Sequence, residues 1–224
     1  SWGTTFGFIP LTGGNSSSAG NYVRVVAAED GTEVRINGVS VGTINSGGFY
    51  ETPEPLTEAG LISTSKPVAV AQYTITQNCS NLGTGDPDMV ILNPIEYNIR
   101  DITVYSSSRE AIDDKYLNIL IRTSAAASFR INGVAPTQRF TPLPGAPEYS
   151  YLQLYISSFP SNNFRLTASE GFNAIAYGFG QFESYAYSAG TNLASNKSIS
   201  AVRRATQEEL PNACTNEEFD FRLV

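Results

Sequence analysis

The chain has 224 residues, with 14 Lys and Arg against 21 Asp and Glu and no histidine. A net charge of −7 without a concentrated basic patch argues against nucleic-acid binding, because phosphates attract clustered Lys and Arg. The lack of histidine excludes Ser-His-Asp and Cys-His relays and the HExxH zinc helix, and with them much of enzyme chemistry.

The remaining composition is typical of an extracellular β protein. Only 16% of the residues are charged, while 41% are hydrophobic and 11% aromatic, so the chain can build a packed core. Abundant Thr and Tyr favour strands, and Gly, Asn and Pro favour turns. No run approaches the roughly 18 apolar residues of a membrane span, so we predict no transmembrane segment. The chain begins at Ser1 without a leader, and we expect any export signal to be removed or to lie upstream.

An internal duplication is visible along the chain. Three pairs of segments match in the same order: 22–26 with 116–120, 33–39 with 128–134, and 62–73 with 166–177. The offsets are 94, 95 and 104 residues. A period of about 95 residues is the size of a small β-sandwich. The sequence therefore predicts an all-β chain of two tandem antiparallel sandwich-like units, residues 1–93 and 94–190, which either stand apart or share one core.

The strongest local signal in each copy is an Asn-Gly pair. Asn37-Gly38 and Asn132-Gly133 each follow the residues Arg-Ile and precede Val. Asn-Gly tolerates positive φ at both central positions of a type I′ turn, whose twist matches that of the flanking strands. Each pair therefore predicts a β-hairpin, and turn chemistry explains it better than a binding role.

Residues 149–156 alternate strictly between two kinds of side chain. Leu152, Leu154 and Ile156 are predicted to point one way, and Tyr149, Tyr151 and Tyr155 the other. Because aromatic rings with polar tips make good contact surfaces, the tyrosine stripe is the candidate ligand-binding site. The alternative is that these rings pack between the two copies or against another strand.

The tail, residues 191–224, differs from the rest in being polar and mixed. Residues 219–223 alternate like a strand, so we expect the tail to be a linker followed either by the start of a further module or by a returning edge strand. Residues 200–210 carry a weak helical pattern, with Val202, Ala205 and Leu210 on one face, and a linker explains them equally well.

Paired acids invite a metal or a catalytic interpretation. Asp86 and Asp88 flank a proline, and Asp113 and Asp114 precede a predicted strand. Neither pair has the spacing of an EF-hand, and a structural turn is favoured over a calcium site. Two carboxylates suffice for glycoside hydrolysis, but nothing in the sequence brings a chosen pair together in a cleft. We therefore predict no enzyme activity, no cofactor and no metal.

The two cysteines allow at most one disulfide. Cys79 and Cys214 either pair in an oxidising compartment or remain free thiols. A bridge between them would stabilise the fold by about 4 to 5 kcal/mol in the chain-entropy model. Three Asn-x-Ser sequons, at Asn15, Asn78 and Asn196, fit exposed loops of a secreted protein.

Four further segments occur in a characteristic order: Trp2-Gly-Thr-Thr5, the Lys66-Pro to Gln-Tyr73 strand, Asp86-Pro-Asp-Met89 with Leu92-Asn-Pro94, and Tyr177-Gly-Phe-Gly180 with residues 184–190. Together they resemble the N-terminal domain family of IgG Fc-binding protein, a module that is also widespread in secreted bacterial surface proteins. The resemblance spans roughly residues 1–190.

The resemblance implies a secreted or cell-surface, non-enzymatic binding or adhesion module of a larger multidomain protein. It supplies no site residues, and it does not extend to immunoglobulin binding itself. We expect the ligand to be an extracellular glycan or glycoprotein. The alternatives are a structural spacer of a surface protein and a carbohydrate-binding accessory module of a secreted enzyme.

Overall fold

The computed structural model describes residues 1–11, 20–76, 84–109, 111–192, 199–206, 208–210 and 218–223, with 199–200, 209–210 and 221–223 described by their backbone alone. The chain divides into two compact units, Ser1–Asn192 and Leu193–Val224. Within the described ranges, no helical segment reaches the length and apolar character of a bilayer span.

The first half of the larger unit forms a seven-stranded antiparallel sheet. Its strands are β1 (Gly3–Phe8), β2 (Tyr22–Ala27), β3 (Thr32–Ile36), β4 (Val39–Ile44), β5 (Phe49–Glu51), β6 (Gly60–Tyr73) and β7 (Met89–Ile91). The long strand β6 organises the sheet, because its first part pairs with β1 and β3 and its last part with β2 and β7.

The second half forms another seven-stranded sheet around a long strand. Its strands are β8 (Ile99–Tyr105), β9 (Ile112–Arg122), β10 (Arg130–Ile131), β11 (Thr141–Leu143), β12 (Ala146–Tyr155), β13 (Asn163–Gly180) and β14 (Glu183–Ser188). The first part of β13 pairs with β8 and β10, and its last part with β9 and β14. Two short 3-10 helices, Ile95–Tyr97 and Thr123–Ser128, complete the unit. The predicted all-β, sandwich-like class is confirmed.

The Asn-Gly pairs lie at the predicted hairpin turns. Asn37 and Asn132 both have φ of 50°, and Gly38 and Gly133 have φ of 80° and 82°. Positive φ at both positions is what a type I′ turn requires, and Asn and Gly adopt it at the lowest cost. In the register of the ladders, Ile36 pairs with Ile62 just as Ile131 pairs with Leu166.

The two halves share buried side chains. Every residue of β9 from 115 to 121 is buried, so both faces of this strand are covered. Leu117 and Ile119 belong to a core of second-half residues, whereas Tyr116 packs in a cluster with Phe6 and Val25 of the first half. Two of the three buried clusters of the described residues therefore contain side chains of both halves, which favours a shared core over halves that stand apart.

Amide side chains from both halves bind the backbone segment that follows β1. The Nε2 atom of Gln72 donates to the carbonyl of Ile9 at 2.9 Å, and Nε2 of Gln153 donates to the carbonyl of Pro10, also at 2.9 Å. Asn118 Nδ2 donates to the same two carbonyls at 3.4 and 3.3 Å. Amides from both halves thus satisfy the backbone that follows β1, as buried polar groups require.

The smaller unit is a three-stranded antiparallel sheet with β15 (Ile199–Arg203) between β16 (Glu209–Leu210) and β17 (Phe219–Leu223). The helix considered for residues 200–210 is wrong, because β15 pairs along its length with β17 and Val202 is buried there. Strand pairing with a segment distant in sequence overrides a weak helical pattern.

Candidate functional site

The three tyrosines predicted as a binding stripe have different surroundings. Tyr149 is 9% exposed in a cluster with residues of both halves, and the guanidinium carbon of Arg122 lies 5.4 Å from its ring centroid. Tyr151 is half-buried against the same cluster, and Tyr155 is 45% exposed. The three rings do not form one exposed surface, because the first half of the unit covers this face of β12 at Tyr149.

The opposite face of β12 follows the predicted alternation. Leu152, Leu154 and Ile156 are all buried in the core of the second half. This part of the prediction is confirmed, since a strand with one face on a core buries every second residue.

Tyr151 lines a cleft of about 350 Å³ between the two halves, which we call the Tyr151 cleft. Its walls are Pro10, Thr57, Glu58, Ala59, Pro144, Tyr151 and Gln153. They come from the segment after β1, the loop before β6, the β11–β12 turn and β12 itself. The cleft therefore exists only where the halves are packed together.

Local structure holds these walls in place. Gln153 is anchored by its bond to the carbonyl of Pro10, and Ala59 is buried. The β11–β12 turn lies against the first hairpin: Gly145 has φ of 74°, and a Cβ there would stand 3.1 Å from Cβ of Asn37. Glycine is needed for this backbone conformation and this close approach.

A second concavity, of about 260 Å³, is also lined by the loop that carries Thr57 and Glu58. We call it the Ile36 pocket, and it is lined by Phe8, Ile36, Asn37, Pro55, Leu56, Thr57, Glu58, Gly60 and Ile62. It shares only Thr57 and Glu58 with the Tyr151 cleft. These two side chains therefore face a ligand in either concavity.

The lining of the Tyr151 cleft combines apolar and polar groups. It offers an aromatic ring at Tyr151, a carboxylate at Glu58 and a hydroxyl at Thr57. Its lining contains one carboxylate, whereas glycoside hydrolysis uses two. Sequence reasoning identified Tyr151 from the alternation of β12 but missed Thr57, Glu58 and Pro144, because only the packing of the halves brings these loops together.

Tyr155 lies in a different, largely apolar groove of about 420 Å³. The groove is lined by Ile131, Val134, Ala135, Pro136, Thr137, Gln138, Leu154, Tyr155, Ser158 and Phe159. The Tyr155 ring also makes an edge contact with Tyr116, at 5.3 Å between centroids. Tyr151 and Tyr155 thus face two separate concavities.

Charged and phenolic groups with shifted pKa values lie away from the Tyr151 cleft. A hydrogen bond to Glu51 raises the pKa of Arg24, whose guanidinium also lies over the ring of Phe49 at 4.7 Å. Burial raises the pKa of the Tyr185 and Tyr187 hydroxyls on β14. The Tyr185 hydroxyl is 2.7 Å from Oγ of Ser106. Arg24 and Glu51 line a separate pocket of about 170 Å³ with Tyr22 and Tyr73, which shares no lining residue with the Tyr151 cleft.

The Asp86–Asp88 segment is fixed by hydrogen bonds to neighbouring strands and to its own backbone. The carbonyl of Asp86 accepts bonds from the hydroxyls of Thr74 and Ser184, and Asp88 Oδ1 accepts one from the backbone N–H of Met89. The described residues contain no group of three or more acidic or thiol side chains suited to a metal ion. Cys79, Cys214 and the sequons at Asn15, Asn78 and Asn196 lie outside the described residues.

A shared-core β-sandwich unit with a polar and aromatic cleft at its internal junction defines a class of binding module. The chain belongs to the family described as IgGFc binding protein, which matches residues 1–178. This confirms the resemblance seen in the sequence, and the family is one of binding domains and not a known enzyme family. Neither the comparison with curated proteins nor that with solved structures found a match.

Proposed function

We propose that this chain is a non-catalytic, extracellular or cell-surface binding module that holds a glycan, free or attached to a glycoprotein, in the Tyr151 cleft. The observation that carries the proposal is the composition of that cleft: one half-buried aromatic ring, one carboxylate and one hydroxyl around about 350 Å³ of space. A sugar presents C–H faces that stack on an aromatic ring and hydroxyls that donate to a carboxylate.

The size of the cleft supports a small saccharide unit as its occupant. Ligand pockets commonly measure about 300 to 1,000 Å³, so this cleft is at the small end of the range. A ligand with polar groups on most of its surface suits walls that combine Gln153, Thr57 and Glu58 with Pro10 and Pro144.

The non-catalytic part of the proposal is supported by the family and by the single carboxylate of the cleft. Glu58 has no second acid beside it in the lining to serve as the partner of a hydrolytic pair. Binding without turnover is the function that this set of groups can perform.

We also infer that the halves are diverged copies of one unit presented by a larger surface protein. The copies keep the same Asn-Gly hairpin and the same pairing scheme around β6 and β13. The cleft is then a property of the packed pair, since its walls come from both copies.

An array of immobilised glycans and glycoproteins tests the proposal. It should include IgG Fc with and without its glycan, because the family is named for that protein. The wild-type chain is compared with Tyr151→Ala and, as a matched control outside the cleft, Tyr155→Ala. We expect a defined set of glycan signals that Tyr151→Ala abolishes and Tyr155→Ala leaves intact.

Three results would count against the proposal. Binding that survives removal of the glycan would assign the ligand to the protein surface. Signals lost in Tyr155→Ala and kept in Tyr151→Ala would move the site to the other groove. If the chain binds nothing on the array, the structural-spacer alternative is favoured.

A further inference from the structure

The charge in the linings of the Tyr151 cleft and the Ile36 pocket is negative. Glu58 is the only charged residue in either lining, and no Lys or Arg belongs to them. Glu58 is exposed, and no ion pair within the described residues involves it. A ligand therefore meets an uncompensated carboxylate on the loop that separates the two concavities.

Glu58 also lies next to two different sets of wall residues. It lines both concavities together with Thr57, and the walls beyond this loop differ: Tyr151 and Pro144 on one side, Ile36 and Leu56 on the other. A ligand that occupies both the cleft and the pocket therefore has this carboxylate beside it at each.

We propose that the cleft and the pocket form two subsites for one oligosaccharide, and that Glu58 selects neutral or amino-bearing glycans and rejects acidic ones. This inference rests on the proposed function and adds the chemical class of the ligand. A carboxylate accepts hydrogen bonds from hydroxyl and ammonium groups, whereas it repels a sialic acid, a uronic acid or a sulfate.

The net negative charge of the chain also disfavours acidic ligands. At −7 it lowers the local concentration of anionic ligands, and salt weakens that long-range effect. The short-range repulsion by Glu58 is less sensitive to salt. A discrimination that persists at high salt therefore does not come from the overall charge, and the Glu58→Gln variant shows whether it comes from Glu58.

The test uses matched pairs of immobilised N-acetyllactosamine chains, with and without a terminal sialic acid. Binding is measured at low and high salt for the wild type, for Glu58→Gln and for Glu54→Gln. Glu54 is an exposed acid of the same loop and lines neither concavity, so Glu54→Gln removes the same charge at a control position.

We expect the wild type to bind the neutral chain roughly fivefold more tightly than the acidic one, as for a close like-charge contact at an exposed site. Glu58→Gln should reduce that ratio to within about twofold, and Glu54→Gln should leave it unchanged.

Equal binding of the two chains by the wild type would overturn the inference and leave the proposed function standing. A ratio that persists in Glu58→Gln would also overturn it, since the discrimination would come from elsewhere. Absence of any glycan binding would overturn the proposed function and this inference together.

Discussion

Asn132 and Arg165 exchange two hydrogen bonds: the backbone N–H of Asn132 donates to the carbonyl of Arg165, and the backbone N–H of Arg165 donates to Oδ1 of Asn132, each at 2.8 Å. Asn37 makes the same two bonds with Leu61, again at 2.8 Å. The Asn of each hairpin thus forms the turn and also fixes the turn to the long central strand.

Replacing Asn132 should separate these two roles. Asn132→Ala loses the side-chain acceptor and adds the cost of a left-handed φ, so we expect the free energy of unfolding to fall by about 2 kcal/mol. Asn132→Gly adopts the left-handed φ without strain, so it loses the acceptor and some chain entropy, and it should cost about 1 kcal/mol. Denaturant melts of both variants measure the difference, and equal losses would show that backbone strain plays no part.

Gln72 holds the segment that follows β1 in place, because its amide donates to the carbonyl of Ile9 and, at 2.7 Å, to Oδ1 of Asn21 in a fully buried setting. Gln72→Leu removes one donor from each acceptor, while the Ile9 carbonyl keeps a longer bond from Asn118 and Oδ1 of Asn21 keeps one from the backbone N–H of Leu11. We therefore expect a loss of about 1 to 2 kcal/mol. Gln138→Leu, at an exposed glutamine, is the control and should change stability by less than about 0.5 kcal/mol.

The shared core also predicts a single unfolding transition for residues 1–192. Tryptophan fluorescence from Trp2 reports on the first half, and hydrogen exchange along β13 reports on the second. We expect Gln72→Leu to lower both midpoints equally. A lowered midpoint in the first half alone would show that the halves unfold independently.

The free energy of unfolding should fall at alkaline pH, because the Tyr185 hydroxyl ionises more readily in the unfolded chain than in the folded one. Burial raises its pKa above the ordinary 10.0, so the folded chain keeps the proton while the unfolded chain releases it. The stabilising contribution is complete below pH 10 and is lost as the pH rises through the higher folded value. Tyr185→Phe should lower stability at neutral pH, because it removes the bond to Ser106, and flatten the alkaline decline. An unchanged slope, measured by urea melts across this range, would contradict the assignment.

Some features of this structure can be predicted from the sequence, and others cannot. The hairpins at Asn37 and Asn132 and the buried side of β12 follow from local rules, since turn chemistry and a period of two leave little choice. The burial of Tyr149 and the place of Glu58 beside Tyr151 depend on how the halves pack. No local pattern encodes that packing, and for the same reason the pairing of β15 with β17 was missed.

The central claim is that a glycan binds in the Tyr151 cleft. It is tested most directly by calorimetric measurement of the Kd of the best array glycan for the wild type, Tyr151→Ala and Tyr155→Ala, with thermal melts confirming that each variant is folded. We predict at least a tenfold weaker Kd for Tyr151→Ala, equivalent to about 1.4 kcal/mol of lost stacking, and a change of less than about twofold for Tyr155→Ala. A Kd that is unchanged in a folded Tyr151→Ala variant would contradict the claim.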